Sequence, residues 1–239
     1  MENLIRSWLH PIDPIYRREV THAKSNRRRK RSYVILALTF AFIMLCSLCF
    51  GGSSLLLTLP FVRLLVVVST SGSIAHEVQS RTWDSLRTTL YSTKDIVKTK
   101  YAGALVRARK LAYYLVGTRI IVLLFYFLNY YEFISLSTSR FLVAFVYLTI
   151  DAVLDFITDG ALGIVASTFA STPSRARIWA FTLGVASLFA QYALSAIILL
   201  SSSSETTCCM ALLAIIILRY VIVLWLLKLA AWRAKRIGA

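Results

Sequence analysis

Apolar residues in this chain come in long continuous runs separated by polar and basic stretches. A helix crosses the hydrocarbon core of a bilayer with roughly 20 mainly apolar residues, and that ruler finds candidate spans at 33–50, 55–75, 111–129, 141–168, 178–200 and 208–227. The first is free of charge, and the turn Gly51-Gly52-Ser53-Ser54 joins it to the second as an antiparallel hairpin. Barrel strands would alternate apolar and polar residues over about ten positions, which these runs do not. The pattern predicts an all-α polytopic integral membrane protein with six transmembrane helices.

Composition agrees with that pattern. Of 239 residues, 58% are hydrophobic and 16% charged, too apolar for an ordinary soluble domain. The net charge of +16 would suit a nucleic-acid binder only if the basic residues shared one face of a soluble module; they lie instead between the apolar runs, so no nucleic-acid partner is expected. Their distribution sets orientation, because loops on the cytoplasmic side are rich in Lys and Arg. With the N-terminus in the cytoplasm, residues 1–32, 76–110, 171–177 and 228–239 hold 23 of the 27 basic residues and 6 of the 11 acidic ones. The reading is a multi-pass membrane protein with both termini cytoplasmic. The first apolar run begins only at Tyr33, and no small-residue cleavage site follows it, so a retained N-terminus is expected rather than a signal peptide.

The segment 1–32 has structure of its own. Leu4, Ile5, Trp8, Leu9 and Ile12 recur at helical spacing, and Asp13-Pro14 reads as an N-cap followed by proline at the first helical position. It is read either as an amphipathic elbow helix leading into the first span, or as a flanking segment stopped at the inner leaflet by Arg27 to Arg31. In the loop 76–110, Trp83, Leu86 and Leu90 share a helical face, predicting a short amphipathic helix. Ser92 and Asp95 have capping-box spacing, so a second helix is expected to start at Thr93 and run into the third span.

This loop carries Glu77, Thr82, Trp83, Asp84, Leu86, Thr88, Thr89, Ser92, Asp95, Ile96, Val97 and Lys100 in that order. The series resembles the signature of type-2 ABC-transporter permeases. Asp13-Pro14 and Tyr16-Arg17-Arg18-Glu19 are similar to the elements near the start of many such permeases. Arg81 stands where the family usually has Gly, and Leu90-Tyr91 replaces a Pro-hydrophobic pair. The resemblance implies a permease subunit, of an exporter, that couples ATP hydrolysis in a separate cytoplasmic ABC ATPase to substrate movement. It further implies a second permease chain, as a homodimer or heterodimer, and a cytoplasmic coupling helix in which Glu77, Thr82, Trp83, Asp84, Leu86 and Leu90 seat against the ATPase. A non-transporting, permease-like scaffold of a larger membrane complex is the alternative; a membrane enzyme acting on lipid is a weaker one.

The chain holds no Gly-x-x-x-x-Gly-Lys-Ser/Thr loop for phosphates, so ATP and Mg belong to the partner and no cofactor is expected here. His10, His22 and His76 have no zinc-type spacing, and no Gly-x-Ser-x-Gly turn is present; no catalytic or metal-binding residue is assigned. Cys46, Cys49, Cys208 and Cys209 fall near one membrane face and read as packing residues, with a redox role as the alternative.

Charges inside the spans are the remaining signal. Asp151, Asp155 and Asp159 recur every four residues, on one stripe of the fourth span. Each ionised Asp at the bilayer centre costs about 2.5 to 3.5 kcal/mol on insertion scales. Arg63, Arg119 and Arg219 lie about halfway through their own spans. The expectation is that the Asp stripe faces the bundle interior and pairs with some of these arginines; a polar substrate or proton path is the alternative.

Overall fold

A computed structural model describes residues 14–17, 21, 53–89, 91–134, 138–201 and 205–237. The run 33–50, the Leu4 to Ile12 repeat, Arg27 to Arg31, Leu90, Cys46 and Cys49 lie outside them. The helices are α1 (Ser53–Thr70), α2 (Ser73–Gln79), α3 (Thr82–Arg87), α4 (Thr93–Ile134), α5 (Thr138–Thr168), α6 (Pro173–Ser201) and α7 (Glu205–Arg236). Residues 14–17 form a further helical turn, and no strand occurs among the described residues. The protein is all-α. Among the described residues, Leu59–Gln79 and Ala214–Arg236, 21 and 23 residues long, are apolar and long enough to cross a membrane.

The runs 111–129, 141–168, 178–200 and 208–227 each lie within one helix. The run 55–75 is not one helix: α1 stops at Thr70, and α2 starts anew at Ser73. The Ser69, Thr70 and Ser71 hydroxyls each donate to carbonyls three or four residues back, a local bonding habit that competes with helix continuation. Helix α7 runs on through the basic stretch as far as Arg236. Arg233, Lys235 and Arg236 fall in its last turn, where cations suit the negative end of the helix dipole.

The bundle is organised around α5, which packs against α1, α2, α4, α6 and α7. Two glycines make this possible. At Gly163 a Cβ would stand 2.5 Å from the Val67 carbonyl oxygen, and at Gly160 one would stand 2.5 Å from Leu105 Cδ2. The backbones of α5 and α1 therefore touch, as small residues allow between membrane helices. Tyr101 strengthens the α4–α5 contact by donating from its hydroxyl to the Ile157 carbonyl at 2.8 Å.

Candidate functional site

The aspartate stripe of α5 lies inside the bundle. Asp151, Asp155 and Asp159 are buried on the face of α5, and Arg63 on α1 and Arg119 on α4 are buried beside them. Arg63 grips Asp159 with two parallel bonds, Nε to Oδ2 and Nη2 to Oδ1, both 2.9 Å. This fork-to-carboxylate geometry is the strongest available to an ion pair. The same Nη2 lies 3.3 Å from Asp155. Arg119 spans two carboxylates, Nη1 donating to Asp151 and Nη2 to Asp155. Arg219, from α7, donates through Nη1 to Asp151 and to Asp155, the latter at 2.9 Å. Asp155, fully enclosed, thus touches all three arginines.

Four helices supply these six charges, which cancel: three guanidiniums face three carboxylates. A fifth helix joins through Gln191 on α6, whose Oε1 accepts from Arg63 Nη1. Sequence reasoning missed Gln191, although a lone amide in the otherwise apolar run 178–200 was a signal. A cavity of about 200 Å³ adjoins the cluster and is lined by Arg63, Arg119, Asp151, Asp155, Gln191 and Arg219, with Leu59, Leu148 and Tyr192. Arg119 Nε has no hydrogen-bond partner among the described residues. Among those residues no group of three or more His, Cys, Asp or Glu side chains is placed to hold a metal ion.

The loop 76–110 forms a second polar centre. Glu77 on α2 and Lys100 on α4 are both buried, with Nζ 2.6 Å from Oε1. The Thr82 hydroxyl donates to the other carboxylate oxygen of Glu77, so the ion pair also ties down the first turn of α3. Trp83 is 2% exposed and belongs to the same core as Ile74, Ile96, Val97 and Tyr101. Glu77 and Trp83 therefore point into the protein, while Asp84, Ser85, Thr88 and Thr89 are exposed; Thr82 and Leu86 are half-buried. Residues 14–17 reach the same core through the buried Tyr16.

Local geometry explains this fold-back. Arg81, between α2 and α3, has φ 57°, the left-handed region that L-residues enter at a cost of about 1 to 2 kcal/mol. The start of α2 is capped from outside: Ser167 on α5 accepts from the Ile74 and Ala75 amides at 2.8 and 2.9 Å. The α4 start is capped locally, with Asp95 N donating to Ser92 Oγ at 3.2 Å and Ser92 Oγ donating to Asp95 Oδ2 at 2.6 Å. Helix α4 then runs 42 residues from Thr93 without interruption.

Comparison with known protein families, characterised proteins and solved structures finds nothing that matches this chain.

Proposed function

We propose that this chain is the membrane-spanning subunit of an ATP-driven exporter of the type-2 ABC class, working with a separate cytoplasmic ATPase and a second permease chain in a prokaryotic inner membrane. It crosses six times, with 33–50 as the first span and both termini cytoplasmic. An inverted polarity supports the membrane reading: the charges of four helices meet in the interior, whereas Ile178, Phe189, Ile217 and Trp225 are 68%, 73%, 63% and 60% exposed. Large apolar side chains facing outward over several helices are costly in water and normal in lipid.

The observation that carries the coupling role is the bracing of α2 and α3. Glu77, Lys100, Thr82 and Trp83 lock the pair onto the head of α4, and Ser167 locks it onto α5. A short helix held this way transmits a push at its exposed edge into the tilt of two long helices, a movement that nucleotide on a partner can bias. Docking then falls to the exposed Asp84 and Ser85, and Trp83 serves as the internal anchor.

The test is co-purification in mild detergent. An ATPase bearing a P-loop is retained by the unaltered chain, and Asp84→Arg with Ser85→Arg lowers its retention at least about tenfold at an unchanged melting temperature. Trp83→Asp, by contrast, lowers the melting temperature itself. Undiminished retention by the Asp84/Ser85 variant overturns the docking assignment, and an intact complex without nucleotide-driven substrate movement favours the scaffold reading.

A further inference from the structure

Helices α6 and α7 scarcely touch, although each packs well on α5. Between the three lies a second cavity of about 180 Å³, lined by Leu162 of α5, Ala190 and Gln191 of α6, and Leu218, Arg219, Ile222 and Leu226 of α7. Most of its exposed lining is apolar, with Thr158 and Ser187 as further polar members. Gln191 and Arg219 also line the charged cavity, so the two spaces share a wall made of these two side chains. An apolar slot therefore abuts a chamber furnished with guanidiniums and carboxylates.

We infer that the paired cavities bind one amphiphile with a net-neutral, zwitterionic headgroup, its head in the charged chamber and its alkyl chain in the slot between α6 and α7. The charge pattern selects the head. Arg63 is held by the bidentate Asp159, and Arg119 and Arg219 are bonded to Asp151 and Asp155 in the chamber wall, so the wall is neutral as it stands. A zwitterion sets its anionic group against the guanidiniums and its cationic group against the carboxylates, and the balance is kept. An anionic head brings an uncompensated charge into a low-dielectric space, which is costly. Arg119 Nε, buried and without a partner among the described residues, is a donor on the residue that lines this chamber. The slot accepts the chain because aliphatic side chains line it from three helices. Head and tail must be joined, since neither cavity alone supplies both kinds of contact. The site needs no ATPase and stands apart from the transport reading.

The experiment uses the purified full chain in detergent, with native mass spectrometry as the readout. Lysophosphatidylcholine, lysophosphatidylglycerol and glycerophosphocholine are the probes, offering a zwitterionic head with a chain, an anionic head with a chain and the zwitterionic head alone. The expected result is one lysophosphatidylcholine retained per chain, at least about tenfold more tightly than either other probe. Ala190→Trp fills the slot from α6 without touching the charges and removes that preference at an unchanged melting temperature; Ile222→Trp does the same from α7. Equal retention of the two lysolipids, binding of the chainless head, no retention at all, or undiminished binding in a folded slot-filling variant overturns the inference.

Discussion

Asp155 meets three guanidiniums because i, i+4 spacing centres it between Asp151 and Asp159 on one face of α5. Asp155→Ala leaves Arg119 and Arg219 with Asp151 alone. Breaking a buried ion pair by removing one partner costs about 3 to 5 kcal/mol, and thermal unfolding in detergent should register a loss of that size. Adding Arg219→Gln is expected to recover part of it, because the second change removes an orphaned charge; strictly additive losses would mean the pairs act independently. Arg81 is the opposite case, a residue poorly suited to its backbone. At φ 57° glycine is free of the side-chain clash, so Arg81→Gly should raise stability by about 0.5 to 1 kcal/mol, the gain being reduced by glycine's greater freedom when unfolded. Chemical denaturation checks the sign. At this position a left-handed turn is what a glycine would serve.

Among the elements, α2 depends most on its neighbours. Seven residues are too few to hold a helix unaided, and its first amides bond to Ser167 rather than to a residue of its own segment. Ser167→Ala should cost about 1 kcal/mol and speed amide exchange at Ile74 and Ala75; unchanged exchange there would deny the cap its role. At Gly163 the obstacle to a Cβ includes a backbone oxygen of α1, which cannot rotate away. Gly163→Ala should therefore push α1 from α5 at a cost of about 1 to 3 kcal/mol, seen as a lowered melting temperature. The start of α4 differs from both. Its Ser92 and Asp95 lie within four residues of each other, and their spacing alone located the helix start.

For the whole molecule, the distribution of charge along the chain makes a topological prediction. With Cys46, Cys49, Cys208 and Cys209 replaced by Ser, a membrane-impermeant thiol reagent should reach Ser203→Cys, between α6 and α7 in the sequence, in intact cells. It should reach Ser85→Cys, on the exposed edge of α3, only after permeabilisation. The reverse pattern would invert the protein and put α3 out of reach of the proposed ATPase. The two cavities beside the charge cluster belong to this scale as well, since no single helix or helix pair encloses either of them.

Much of this was readable in one dimension. Helices form from bonds between residues four apart, so the apolar runs marked α1 and α4 to α7, and the spacing of three aspartates marked the polar face of α5. What the chain order could not show is which distant groups become partners. Gln191 and Arg63 are 128 positions apart, Glu77 and Lys100 are 23 apart, and Ser167 caps a helix 93 positions away. The resemblance set Trp83 against an ATPase, whereas the fold buries it in the core with Ile96, Val97 and Tyr101 of α4. Loops and bundles choose partners by burying apolar area and matching charges across several helices at once, a condition that exists only after the helices have assembled. The sequence by itself determined that the chain is helical, where most helices lie and which one carries the acids. Tertiary structure decided that α5 is the centre, that Asp155 is the point where three arginines converge, and that α2 and α3 are braced rather than free.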